Sequence, residues 1–211
     1  MLLYPSLMGA DQLNLQNIIS ELEPHCAGFH LDTMDGHLVP NITGGPGWVN
    51  TIAASTKKPV WVHLMVTDPL RWIPFFKLPV TSMIDFQCEA PGDHAAVLNS
   101  IKKAGFKAGL SIAPQTSFTN IEPLLAQCDY VTIMGVEPGF SGQSFIPQTI
   151  EKIKQLNAYK KKQALNLFIA CDGGITEALL PTISAAGVTH AAVASALFGA
   201  VDRKSWLQKN S

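Results

Sequence analysis

Short apolar segments alternate along the chain with longer stretches in which apolar residues recur at helical spacing. The short segments are nearly continuous in apolar residues, which is typical of parallel strands buried on both faces. The pattern predicts eight strands, at 2–7, 28–34, 60–66, 83–88, 108–113, 130–136, 167–171 and 190–194.

Helical periodicity occupies the intervals between these strands. Leu15, Ile18, Ile19 and Leu22 follow the i, i+3, i+4, i+7 rule after Asp11, a candidate N-cap. An irregular, proline-broken element is expected over 69–79. Further helices are predicted around Val97, Ile101 and Ala104 before Gly105, over 148–162, and over 176–186 before Gly187.

Eight strands alternating with about eight helices indicate the α/β class and a (β/α)8 TIM barrel. The same alternation is also compatible with an open, doubly wound sheet, which is the alternative fold. No linker, low-complexity tract or strong repeat interrupts the sequence. We therefore expect one catalytic domain over 1–211.

Charge and hydropathy narrow the classes of partner. The net charge is −1, so the basic stripe of a nucleic-acid-binding protein is missing. No run of 18 apolar residues or leader pattern occurs, so we expect no membrane partner and a cytoplasmic protein. Charged residues make up 15% of the chain, against about 25% in a typical domain, which favours a homo-oligomer. The four cysteines are widely spaced and predict reduced, mostly buried thiols.

Four chemistry-bearing residues fall near strand ends on one side of the predicted barrel. His30 and Asp32 are two apart and share one strand face, His63 lies on the next strand, and Asp172 follows the seventh. A lone His-x-Asp pair is more often structural, but two histidines and two carboxylates converging at one mouth favour a divalent cation site. Zinc, iron(II), manganese and cobalt all suit these ligand types.

Glycine-rich turns at 138–142 and 172–174, with the junction at 194–196, come after the last three predicted strands. Backbone N–H groups at such turns bind anions without Lys or Arg. Many barrels hold a phosphate at their last two βα loops. Each turn is common by itself, and their joint position predicts a phosphate site.

The sequence resembles the ribulose-phosphate 3-epimerase family over nearly its whole length. The motifs that carry the resemblance are Pro5-Ser6-Leu7-Met8, HLDTMDGHLVPN from His30, His63-Leu64-Met65-Val66, VEPGFSGQSFIP from Val136, Asp172-Gly173-Gly174-Ile175 and Ser195-Ala196-Leu197-Phe198.

This resemblance implies a barrel of the ribulose-phosphate binding type that interconverts D-ribulose 5-phosphate and D-xylulose 5-phosphate in the pentose phosphate pathway. It implies one divalent metal ion per subunit, held by His30, Asp32, His63 and Asp172. Asp32 matches the family's proton acceptor and Asp172 its proton donor, which work through an enediolate at C3.

The resemblance also implies the substrate contacts. Ser6 matches a substrate-binding hydroxyl, and His63 also reaches the substrate. Met34, Met65 and Met134 match an apolar seat for the reacting carbons, although methionines at such positions are ordinarily core filling. The implied phosphate-binding positions are Gly139, Phe140, Ser141, Gly142, Gly173, Gly174, Ala194 and Ser195.

The chain departs from the family at a few positions. Ser141 and Ala194 stand where many members have glycine, which leaves their effect on phosphate affinity open. Asp85-Phe86-Gln87-Cys88-Glu89 stands where the family often has Thr-x-His-x-Glu.

Two other functions are compatible with parts of the same pattern. A D-allulose-6-phosphate 3-epimerase would share the catalytic set, and a non-catalytic phosphosugar-binding barrel would have no need of the metal. Related decarboxylases and synthases carry an Asp-x-Lys-x-x-Asp motif that is absent here.

Overall fold

Eight parallel strands form one sheet that curls into a barrel, and the computed structural model describes all residues 1–211. The sheet order runs β1-β8-β7-β6-β5-β4-β3-β2. The strands are β1 Leu2–Pro5, β2 Phe29–Met34, β3 Val60–Met65, β4 Met83–Gln87, β5 Lys107–Ile112, β6 Tyr130–Met134, β7 Phe168–Asp172 and β8 His190–Val193.

The seam between β1 and β2 closes the barrel. A parallel bridge joins Ser6 to His30, and the Ala27 N–H donates to the Leu3 carbonyl at 2.9 Å. The (β/α)8 barrel is therefore confirmed and the open doubly wound sheet is wrong. The seam also places Ser6 and His30, two predicted site residues, side by side.

Eight α-helices accompany the strands, although they are unevenly distributed. Only 3₁₀ turns, Phe118–Asn120 and Glu122–Gln127, connect β5 to β6. The expected irregular element near Pro69 is confirmed as one short helix followed by a 3₁₀ turn. The helices are α1 Leu15–Leu22, α2 Pro46–Ala54, α3 Pro69–Trp72, α4 His94–Lys103, α5 Thr149–Lys162, α6 Leu180–Ala186, α7 Ser195–Phe198 and α8 Arg203–Asn210.

Some predicted strand boundaries were wrong by one or two residues. Asp172 is the last residue of β7, where it pairs with Met134 in register, instead of following the strand. β1 ends at Pro5 and β6 at Met134, although the N–H groups of Ser6 and Gly135 still donate to the carbonyls of Val193 and Asp172 on the neighbouring strands. Asp11 caps a 3₁₀ turn over Gln12–Asn14 that leads into α1.

Two cores stabilise the barrel. The larger lies between the sheet and the helices and takes in apolar side chains from every strand. The smaller fills the lower interior, where the Tyr4 and Trp61 rings meet edge to face at 5.5 Å and the Trp61 and Tyr130 rings at 6.2 Å. A Cβ on Gly109 would collide with the Tyr130 ring, so glycine at this position makes room for the aromatic layer.

All four cysteines are unpaired, and three of them are buried, as the sequence predicts. Burial raises the pKa of the Cys26 and Cys128 thiols to about 12. These thiols therefore stay protonated and behave as small apolar side chains. No helix combines the length and apolar character that crossing a membrane requires.

The surroundings of His190, at the closed end of the barrel, lead us to expect that the stability of the fold depends on pH. Its ring stacks on Phe168 with centroids 3.9 Å apart, and burial together with nearby Lys107 lowers its pKa to about 4. An unfolded histidine titrates near 6.5, so between about pH 4 and 6.5 the unfolded chain binds more protons. Stability therefore falls as the pH drops through this window.

The variant His190→Phe keeps the stack and removes the titrating ring. From pH 7.5 to pH 4.5, the free energy of unfolding should fall less for this variant than for the parent. The difference should be on the order of 1 kcal/mol after allowance for solvent screening. Urea unfolding at the two pH values measures the difference. The exposed His37, replaced by Gln, serves as the control and should follow the parent. Parallel pH profiles for His190→Phe and the parent would contradict the prediction.

Candidate active site

Strands β2, β3 and β7 bring four polar side chains together at the open end of the barrel. Asp32 and His63 are register partners, and His30 lies two residues before Asp32 on the same strand face. Asp172 reaches the group from β7, across the mouth. One potential ligand atom from each of the four lies within 4.8 Å of the others, and all four residues are buried. The structure thus assembles the predicted ligand set.

A hydrogen-bond chain orients His30. The Ser6 hydroxyl donates to Asp32 Oδ2 at 3.1 Å, so its oxygen is free to accept from His30 Nδ1, also at 3.1 Å. The His30 proton then lies on Nδ1, and the bare Nε2 faces Asp172 Oδ2 at 3.8 Å. Ser6 therefore holds His30 in the tautomer that a metal ligand needs.

The donor set fits a divalent cation. His30 Nε2 and His63 Nδ1 are buried without any hydrogen-bond partner, which is costly unless a further group satisfies them. His63 Nδ1 lies 3.5 Å from Asp32 Oδ1 and 3.5 Å from Asp172 Oδ2. Ligand atoms at about 2.1 Å from one tetrahedral ion lie about 3.4 Å apart. The two distances from His63 Nδ1 match that spacing, and His30 Nε2 lies slightly further, 3.8 Å from Asp172 Oδ2.

The pKa values of His30, His63 and Asp32 are also shifted by their neighbours in the site. Burial disfavours charge on both histidines, but the neighbouring carboxylates outweigh it and raise the pKa of His30 and, further, of His63. Burial likewise opposes ionisation of Asp32, yet the two imidazoles hold its pKa well below the usual range. The arrangement thus keeps the Asp32 carboxylate ionised beside the two histidines.

A cleft lies above the four groups, with a volume of about 520 Å³ that includes its open mouth. Of the predicted site residues, only His30 and His63 are absent from its lining, since both are buried beneath it. The cleft lining contains Ser6, Asp32, Met34, Met65, Met134, Gly139, Phe140, Ser141, Gly142, Asp172, Gly173, Gly174, Ala194 and Ser195.

One wall of this cleft is made of methionines. Met34 and Met65 are nearly inaccessible and pack with Val39, and Met8 packs against them from the turn after β1. Met134 reaches the cleft from β6. Met8 was not predicted as a lining residue, although its position two residues after Ser6 in the first motif was a usable signal.

Backbone amides of the glycine turns line the opposite part of the cleft. The N–H groups of Gly142, Gly173 and Gly174 donate to no backbone carbonyl. Gly173 and Gly174 have φ of 98° and 67°, and a Cβ on either would collide with Val136 or Phe145. Only glycine allows this turn, whose free donors suit an anion.

Two side chains that the sequence analysis did not single out brace these turns. Asn41 Nδ2 donates to the Gly139 carbonyl at 2.7 Å, which ties the loop after β2 to the loop after β6. Gln143 Nε2 donates to the carbonyls of Glu137 and Phe140. Both residues lie inside motifs quoted above, but their partners depend on how the loops meet.

A second polar cluster lies in the barrel interior below the site. Asp85 is fully buried and accepts hydrogen bonds from Trp61 Nε1 at 3.1 Å, Ser111 Oγ at 2.7 Å and Thr132 Oγ1. Gln87, two residues along β4, places its side-chain Nε2 at 3.2 Å from His63 Nε2. The departure from the family pattern at 85–89 therefore lies directly beside a predicted ligand.

Comparisons with known proteins are consistent across the chain. The family model described as the ribulose-phosphate 3 epimerase family matches residues 2–198. A ribulose-phosphate 3-epimerase of Bacillus subtilis is 37% identical over 202 residues, covering 95% of this chain and 93% of the relative. One of Chlamydia pneumoniae is 41% identical over 199 residues, covering 93% and 87%.

Solved structures support the fold alone. The structure of KGPDC from Streptococcus mutans superposes with a TM-score of 0.71 at 9% identity, covering 98% of this chain and 93% of that one. At such low identity the likeness extends to the barrel and not to its chemistry.

Proposed function

This chain belongs to the ribulose-phosphate 3-epimerase family and is a carbohydrate epimerase, and from that premise we propose how its residues act on D-ribulose 5-phosphate and D-xylulose 5-phosphate. Residues 1–211 form the one catalytic domain. Asp32 accepts the C3 proton from D-ribulose 5-phosphate, and Asp172 donates a proton to the other face of the same carbon.

The observation that carries this proposal is the placement of two carboxylates across one mouth. Asp32 comes from β2 and Asp172 from β7, yet each has an oxygen 3.5 Å from His63 Nδ1. Epimerisation removes a proton from one face of a carbon and returns one to the other, so an acid/base group is needed on each side. A positioned carboxylate in such a role contributes about 10²- to 10⁴-fold in rate.

One divalent metal ion per subunit is the proposed cofactor, held by His30 Nε2, His63 Nδ1 and a carboxylate oxygen from each of Asp32 and Asp172. When bound, a zinc, iron(II), manganese or cobalt ion supplies Lewis-acid stabilisation of the negative charge that develops on the substrate oxygens. Ser6 keeps His30 in its ligating tautomer and holds Asp32 in place through its hydroxyl.

The cleft lining is proposed to orient the sugar phosphate. Met34, Met65 and Met134 present a dry surface that excludes water from the enediolate. The Ser6 hydroxyl lies in the cleft lining at the polar end of the substrate, and His63 supports that end from beneath the lining. Free backbone amides bind the phosphate at the three turns, formed by Gly139, Phe140, Ser141, Gly142, Gly173, Gly174, Ala194 and Ser195.

We also propose that the chain works as a homo-oligomer in the cytoplasm. The low share of charged residues supports a surface covered by another subunit. The four unpaired cysteines suit a reducing compartment. Light scattering of the purified protein measures the subunit number.

Proton NMR of D-ribulose 5-phosphate in D₂O with the metal-loaded protein tests the proposed reaction. We expect the C3 proton signal to disappear while D-xylulose 5-phosphate forms, because the returned proton comes from solvent through a carboxylic acid. Exchange without the new sugar would leave one working carboxylate. No exchange in a protein shown to hold its metal would overturn the pentulose substrate, and D-allulose 6-phosphate would be tested next.

A further inference from the structure

The two histidines of the site differ in how their protons are fixed. His30 Nδ1 contacts a hydroxyl whose own proton goes to Asp32, so only one tautomer fits. His63 Nε2 instead contacts the side-chain amide of Gln87 at 3.2 Å. An amide carries a donor at one end and an acceptor at the other, so this partner suits either tautomer.

The orientation of the Gln87 amide decides which tautomer is favoured. With Nε2 of Gln87 towards the ring, the amide donates to His63 Nε2, and the imidazole proton lies on Nδ1, facing Asp32 and Asp172. That tautomer has no lone pair for a metal on Nδ1. Rotating the amide by 180° presents Oε1, which accepts from His63 Nε2–H and leaves Nδ1 bare.

This rotation of the Gln87 amide needs no additional space. The oxygen and nitrogen of an amide have nearly the same size, and the two orientations are hard to tell apart from shape alone. Gln87 Oε1 is buried with no hydrogen-bond partner, so the rotation breaks only the existing contact with His63. Gln87 itself is almost fully buried on β4, which keeps the amide beside the ring.

We propose that Gln87 is a positioning residue whose side-chain carbonyl accepts a hydrogen bond from His63 Nε2 when the metal is bound. This bond fixes the tautomer in which the Nδ1 lone pair faces the metal. The inference rests on the proposed metal site. It assigns to Gln87 the role that Ser6 has for His30, and removal of such a partner typically weakens metal affinity by about 10- to 100-fold.

Metal affinity, measured with zinc and cobalt(II) by competition against a chelating dye, tests the inference. Gln87→Met keeps the length of the side chain but offers only a weak thioether acceptor, and it should bind both metals about 10- to 100-fold more weakly than the parent. Gln87→Glu keeps a strong acceptor and should retain most of the parent's affinity for both metals. The exposed Gln163, changed to Met, is the matched control and should leave affinity unchanged.

The tautomer can also be read directly in the unaltered chain. Long-range proton–nitrogen NMR of the zinc-loaded, nitrogen-15-labelled protein should show the His63 proton on Nε2. A proton on Nδ1 in that state would overturn the inference without reference to any variant. So would parent-like zinc affinity in Gln87→Met, or an equally large loss in Gln87→Glu. Failure of the parent itself to bind zinc or cobalt would overturn the proposed metal site as well.

Discussion

Replacing Asp172 by asparagine should lower the rate of epimerisation by about 10²- to 10⁴-fold while the chain still folds. The amide has almost the shape of the carboxyl group, so β7 keeps its register and the cleft keeps its lining. The amide cannot donate a proton as an acid does, and it is a weaker metal ligand. The loss therefore falls on proton return to C3 and on metal retention.

Isotope exchange separates these two causes. If Asp32 still accepts the C3 proton, Asp172→Asn should exchange the C3 hydrogen of D-ribulose 5-phosphate with D₂O faster than it forms D-xylulose 5-phosphate. The mirror variant, Asp32→Asn, should favour exchange of D-xylulose 5-phosphate. Metal content of each variant, measured by mass spectrometry, shows how much of the loss follows from an empty site.

Asp93→Asn is the matched control for this experiment. Asp93 caps α4 at the surface, and asparagine is an equally good N-cap, so activity should stay at the parent level. Near-normal turnover by Asp172→Asn would contradict the assignment of two acid/base carboxylates.

Asp85→Ala should give the largest loss of stability, about 2–5 kcal/mol in the free energy of unfolding. Removal of the carboxylate leaves the Trp61 indole N–H without an acceptor in the barrel interior. The Ser111 and Thr132 hydroxyls lose their shared acceptor, and a void forms between three strands. The two hydroxyls can rotate towards other acceptors, but the indole N–H cannot. The lost bond to Trp61 therefore contributes most to the destabilisation.

Asp85→Asn is the control that separates hydrogen bonding from cavity formation. Its carbonyl oxygen can keep the bond from Trp61, and its NH₂ can donate to the two hydroxyl oxygens, which accept as readily as they donate. We expect it to lose less than about 1.5 kcal/mol. Urea unfolding of the parent and both variants measures the difference. An alanine variant as stable as the asparagine variant would contradict this account of the cluster.

The local sequence predicted the barrel, with an open doubly wound sheet as the alternative, and it identified the residues of the polar site. Near-continuous apolar runs predicted buried parallel strands, and the two-residue spacing of His30 and Asp32 placed both side chains on one strand face. Carboxyl ends of barrel strands share one mouth, so His63 and Asp172 could be placed there without knowledge of contacts. These inferences depend on backbone periodicity, which is a property of adjacent residues.

Other features followed only from closure of the barrel. The contact between Gln87 and His63 joins residues 24 apart in sequence, and the bond from Asn41 to Gly139 joins residues 98 apart. Neither partner could be deduced from spacing, because each depends on strand register and on the meeting of separate loops. The connection between β5 and β6 is made of 3₁₀ turns, where the alternation of strands with about eight helices led us to expect a helix.

The sequence alone thus determined which chemical groups the molecule carries and at which end of the barrel they lie. Tertiary structure decided how those groups are paired: Ser6 with His30 across the seam, Gln87 with His63, and Asp85 with three donors from three other strands. The physical reason is that periodicity orients a side chain by its own backbone. A hydrogen-bond partner is set by the distance between two side chains, and that distance is fixed only after the chain has folded into the closed barrel.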